Sequence, residues 1–225
     1  MKKRAVILIL MLSLVLTMSA CQQESAPDPN RTLVLVNDEA IIQSEFDIEY
    51  TKSADYIESL GSTITPEMET QLKNDVLQSM IRDLLLKQYA KKDDYEPTAE
   101  NIENLYQQYV TQHETEDKLK AALEERGFTV EDFRSDLELQ LDIDYYLNQY
   151  VKDNDLVSMT IVTDKEVEDE FLRYVLETGN ETLKLSEVEA QIKSSLGQQK
   201  MRTLITKITD QLMTESKIED KVVFE

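Results

Sequence analysis

A mainly α fold is predicted: a multi-helix lobe, a small β-sheet made from an N-terminal hairpin and a C-terminal strand, and a long C-terminal helix. Three observations carry this. Apolar residues recur at helical spacing through most of the 225 residues, with only four glycines and four prolines to interrupt them and with 31% of residues charged. Short β-prone runs occur only near the two ends. From Ser186 one apolar stripe continues for about 30 residues, which at 1.5 Å per residue gives a helix of roughly 45 Å.

The first strand is Thr32 to Val36. Asn37-Asp38 is a turn signal, and Ala40-Ile41-Ile42 returns as a second strand. Ser44 with Asp47 reads as a helix start, and Phe46, Ile48 (less regularly), Tyr50, Tyr56 and Ile57 supply apolar positions up to Leu60. Gly61 suits the position past a helix end. Pro66 suits a first turn. Val76, Leu77, Met80, Ile81, Leu84, Leu85 and Tyr89 then follow the helical period without a slip, as the strongest core helix of the chain.

After Pro97, the residues Ile102, Leu105, Tyr106, Tyr109 and Val110 form another stripe. Leu119, Ala122 and Leu123 mark a short helix ended by Gly127, and Thr129 caps the next. Residues 136–145 alternate polar and apolar, which is a strand pattern. Yet Phe133, Leu137, Leu141 and Tyr145 share one helical face, and Leu139, Ile143, Tyr146 and Tyr150 share another. A helix packed between two neighbours satisfies both sets, so a helix is predicted. Asp136, Glu138, Asp142 and Asp144 are then its solvated edge.

Thr163 with Glu166 is a capping box, and Val167, Phe171, Tyr174 and Val175 form the stripe behind it. Gly179-Asn180 breaks that helix. Ser186 with Glu189 reads as the capping box of the long final helix. Val222-Val223-Phe224 is strand-like and would pair with the N-terminal fragments.

The N-terminus speaks to location. Lys2, Lys3 and Arg4 precede an apolar run from Ala5 to Leu16, broken only by Ser13. This has the form of a signal peptide and is too short to span a bilayer. The run ends in Met18-Ser19-Ala20-Cys21, which resembles a bacterial lipobox with Met18 in place of the usual leucine. Residues 1–20 are therefore read as a signal peptide, and Cys21 as a lipidation site. Two or more acyl chains there would anchor the chain stably. Residues 21–31, with Pro27 and Pro29, read as a flexible tether. Residues 32–225 form one domain.

Composition excludes several chemistries. Cys21 is the only cysteine, so no disulfide forms within the chain. Removing Lys2, Lys3 and Arg4 takes the net charge from −21 to −24, which disfavours nucleic acid and anionic headgroups. His113 is the only histidine. It lies in a polar stretch at a helix end and reads as solvated. No Gly-x-Ser-x-Gly, calcium loop or phosphate loop occurs, and neither a catalytic site nor a cofactor is expected. Asn180-Glu181-Thr182 is a chance sequon.

The segments taken in order resemble the SurA/PrsA-type extracytoplasmic chaperones. "VLVNDEAIIQSEFD" (34–47) is similar to their opening hairpin and first helix, with Asp38 where glycine is common. "LQSMIRDLLLKQYAKK" (77–92) looks like their core helix. "LEERGFTVEDFRSDLELQL" (123–141), "VTDKEVEDEF" (162–171), "LSEVEAQIKSSLGQQKM" (185–201) and "SKIEDKVVFE" (216–225) resemble their later segments in the same order. In many members a parvulin-type prolyl isomerase domain precedes the closing helix. Here only Thr178 to Leu185 lies in that interval, so no isomerase residue carries over.

The resemblance implies a helical lobe around a hydrophobic crevice that holds unfolded or secreted polypeptides, without isomerase activity. It places the chain at the extracytoplasmic membrane face. The exterior of a Gram-positive cell is the favoured setting, and a Gram-negative periplasm stays open. Tyr106, Tyr109, Phe128 and Phe133 are the candidate peptide-facing residues, though each also fits a core position. A lipoprotein adaptor that binds one specific envelope protein is the alternative reading.

Overall fold

The computed structural model describes residues 28–92, 94–180, 182–222 and 224. The expected signal peptide, Cys21 and most of the expected tether lie outside the described residues.

Strands β1 (Thr32–Val36) and β2 (Glu39–Ile42) form the predicted hairpin. Asn37 and Asp38 both adopt positive φ, 50° and 74°. A two-residue turn of that kind matches the twist of the flanking strands, and Asn and Asp tolerate it. Helices α1 (Gln43–Ser59), α2 (Pro66–Ala90), α3 (Ala99–Gln112), α4 (Glu116–Glu125) and α5 (Val130–Asp153) follow. A short 3₁₀ turn, Val157–Met159, leads to α6 (Asp164–Thr178) and α7 (Leu185–Glu215). The chain then returns as β3 (Ile218–Asp220), giving an antiparallel sheet of order β2-β1-β3.

The final strand thus forms earlier than Val222–Phe224. Its register is set by the Asn37 end of the sheet, where the Asn37 N–H donates to the Lys217 carbonyl at 2.8 Å and the Lys217 N–H donates to Asn37 Oδ1 at 2.9 Å. Phe224 serves packing instead, stacking on Phe46 with centroids 5.1 Å apart.

Two helix starts also differ from expectation. The N-cap of α1 is Ile42 rather than Ser44, because the Glu45 carboxylate accepts from the Ile42 N–H at 3.3 Å. The N-cap of α7 is Lys184 rather than Ser186, because the Glu187 carboxylate accepts from the Lys184 N–H at 3.1 Å. The threonine caps stand as read: Thr129 with Asp132 and Thr163 with Glu166 each make reciprocal bonds.

Two apolar cores result. The larger joins the sheet (Leu33, Val34, Val36), Phe46 of α1, Ile81 and Leu85 of α2, Leu147 and Val151 of α5, and Leu204, Ile208 and Leu212 of α7. The smaller lies between α3, α4 and the start of α5, around Tyr106, Leu119, Leu123 and Leu137. Helix α5 therefore has the predicted place between two neighbours: one end packs in each core. Its acidic edge is less uniform than expected. Asp142 is half-buried and its Oδ1 has no hydrogen-bond partner among the described residues. Lost hydration, then Glu138, pushes its carboxyl above the ordinary range, against Lys91.

Candidate functional site

A cleft of about 370 Å³ opens where the outer edge of β2 meets α1 and α2. Its apolar lining comes from Ala40, Ile48, Met80 and Leu84. Ile48 is 56% exposed, an unusual position for so large an apolar side chain beside a buried Phe46. Its charged lining is Glu39, Glu45, Glu49 and Asp83 against Lys87 alone. Four carboxylates beside one ammonium give the cleft a negative field, which apolar walls of low polarisability strengthen. Burial raises the pKa of Asp83, with Lys87 opposing and Glu49 adding a smaller push upward.

Sheet geometry fixes what the β2 edge presents. The Lys221 N–H donates to the Leu33 carbonyl and the Asn37 N–H to the Lys217 carbonyl, both at 2.8 Å, so the odd residues of β1 face β3. The even ones face β2, where Val36 pairs with Glu39 and Val34 with Ile41. Antiparallel pairs alternate. Ala40, opposite Leu35, therefore points its N–H and C=O away from the sheet. The next outward N–H, at Ile42, is occupied by Glu45.

The four aromatic candidates fall elsewhere, on the arm built by α3, α4 and α5. Tyr106 is 1% exposed. Its hydroxyl donates to Glu116 at 3.2 Å, the Arg134 guanidinium lies 4.2 Å over its ring, and burial first, then Glu116, raises its pKa. It is a core residue and offers no surface to a peptide. Phe133 and Tyr109 are half-buried and meet edge to face at 5.1 Å. Phe128, just past Gly127, is 46% exposed and alone presents its ring to solvent.

Tyr56 and Leu60 at the end of α1 and Tyr174 on α6, read from the sequence as apolar stripe positions, are exposed, and so are Leu172 and Leu176 on α6, which that reading did not single out. Leu172 and Leu176 stand four apart, off the Val167 stripe. That spacing was the available signal. Near them a small cavity of about 140 Å³, lined by Tyr174, Val188 and Ile192, lies between α6 and α7.

His113 caps α3, half-buried, with Nδ1 2.9 Å from the Tyr109 carbonyl rather than free in solvent. Among the described residues no group of three or more His, Cys, Asp or Glu is placed to hold a metal ion. No described helix is long and apolar enough to cross a membrane.

The family model of the SurA-like N-terminal domain matches residues 1–147. The chain belongs to this family. The match takes in the hairpin and everything from there through most of α5, so the cleft lies wholly within it. The family is of chaperone type, which implies polypeptide substrates, and the matched domain is not a catalytic one. No curated protein matches the chain. Beyond the matched span, α6 passes to α7 through residues 179–184, a joint too short for a folded domain. Gly179 turns the chain there at φ 67°, a left-handed value that suits glycine.

Proposed function

We propose that this chain is a membrane-tethered holdase that binds unfolded or extended segments of exported proteins and has no isomerase activity. The family match over residues 1–147 is the observation that carries the reading. Three features support it. The cleft is open, apolar-walled and acidic, which suits transient capture of varied chains. Large apolar side chains stand exposed on α1, α6 and at Phe128. The α6–α7 joint is short where many relatives in the resembled group carry a catalytic domain.

Lipidation of Cys21 would set the molecule at the extracytoplasmic face of the membrane, and its tether would let the domain sample a shell around the anchor. Tyr109, Phe133 and above all Phe128 remain the arm residues proposed to touch client; Tyr106 is withdrawn to the core.

Crosslinking in cells tests the reading. Many exported proteins are expected to crosslink to the wild-type chain, and Cys21→Ser is expected to abolish labelling by fatty acid and to move the protein out of the membrane fraction. One dominant crosslinked envelope protein would favour the adaptor reading instead.

A further inference from the structure

We propose that the cleft takes an extended, apolar segment carrying lysine or arginine, docked as an added strand on the edge of β2 through the backbone of Ala40. The inference rests on the holdase reading and specifies the substrate class of that same family domain.

Three independent observations converge on it. Ala40 directs a donor and an acceptor away from β1, and among the described residues nothing in the sheet lies beyond them. An unpaired edge of this kind is a template for another strand. The space it faces is walled by Ile48, Met80 and Leu84, which would receive the apolar side chains of the incoming segment. The carboxylates of Glu39, Glu45, Glu49 and Asp83 outnumber the one cation, Lys87, so the complementary segment is basic.

The edge is also short. Glu45 occupies the Ile42 N–H, and the Ile42 carbonyl begins helix α1, so one residue alone is left for pairing. Docking therefore has two backbone bonds at its centre, and the rest of the affinity comes from apolar contact and charge. Backbone bonds are blind to side-chain identity. This combination gives weak, reversible, broadly selective binding, as a holding function requires, and it limits runaway edge-to-edge pairing between copies.

The probe is a soluble heptapeptide of alternating valine and lysine, compared with a valine–glutamate peptide of equal length. Binding is followed by amide-resolved NMR of the chain. The lysine peptide is expected to bind more tightly and to slow amide exchange at Ala40 by about tenfold or more, since a newly bonded amide must open before it exchanges.

Two variants sharpen the test. Ala40→Pro removes the outward donor at an edge position that tolerates proline, and should weaken the lysine peptide by about tenfold. Glu49→Gln with Asp83→Asn should weaken it by about fivefold while leaving the glutamate peptide no worse bound. Should Ala40→Pro fail to fold, exchange at Ala40 in the wild-type chain still decides. Peptide bound with no protection of Ala40, or equal affinity for the two peptides, overturns the strand-addition proposal. If client aggregation is still suppressed in that event, the holdase reading stands and the client binds elsewhere. If suppression is absent as well, both fail.

Discussion

Tyr106 and Phe128 are both aromatic candidates on the same arm, yet they do different physical work. Tyr106 fills the smaller core and is held by Glu116, Arg134 and Phe133. Tyr106→Ala should therefore cost roughly 3–5 kcal/mol of stability, measured by urea unfolding, through the cavity it leaves. Phe128→Ser should stay within about 0.5 kcal/mol of wild type, as expected for an exposed site, while weakening capture of an unfolded reporter. The opposite pattern would return Tyr106 to the surface role. The sequence placed Tyr106 correctly on the Ile102–Val110 stripe, but a stripe does not say whether a partner helix covers it. That depends on α5 folding back across α3, a long-range event. Ile48 is the mirror case. It was legible as the irregular apolar position of its helix, and it lines the cleft because that irregularity turns it away from Phe46.

At the scale of elements, each described α-helix was legible from period and punctuation, though the short 3₁₀ turn at Val157–Met159 was not, and α5 shows why period needs context. Its alternating stretch imitates a strand, and only the two helical faces reveal the helix, whose N-terminal part then packs in the smaller core and whose C-terminal part packs in the larger. The missed boundaries have one cause. Ser44 and Ser186 each sit at the second helical position, and the capping is done by the acid that follows, Glu45 or Glu187. A serine with an acid downstream is a cap signature at more than one frame. The C-terminal strand was displaced by hydrogen bonds between Lys217 and Asn37, one to the Asn37 side chain, that no apolar pattern encodes.

The α6–α7 pair makes its own prediction. Glu166 pairs with Lys200 at 2.7 Å and accepts from the Thr163 N–H at 2.8 Å. Lys200 first, then Thr163, hold its pKa down at about 2, from an ordinary 4.5. A depressed carboxylate stabilises the folded state above its unfolded pKa, and that stabilisation is lost as pH falls toward the folded one. The melting-temperature advantage of wild type over Glu166→Gln should therefore be present at pH 6 and fade between about 4.5 and about 2. A constant difference across that range would show that the pair does not couple to folding. High salt should shrink the advantage, since both partners are partly exposed to solvent.

For the whole molecule, the sheet ties the two ends of the described chain together: β1 lies between β2 and β3, and α7 seals the core beneath them with Leu204, Ile208 and Leu212. The family match ends at residue 147, yet residues beyond it complete the core that holds the cleft in shape. The ordered segments made this architecture legible. The cleft was not, because it depends on how the β2 edge and the two helices that follow it, α1 and α2, pack against one another, which apolar period does not encode. The charge was legible as a net value, and its concentration around the cleft was not. The central claim is that this assembly holds unfolded chains. Its most direct test is light scattering from a basic, thermally unfolded reporter protein, with the chain from Cys21 onward carrying Cys21→Ser added in increasing amounts. Suppression that saturates near stoichiometric amounts, and weakens as salt is raised, is the predicted result. Unchanged scattering at severalfold excess would contradict it.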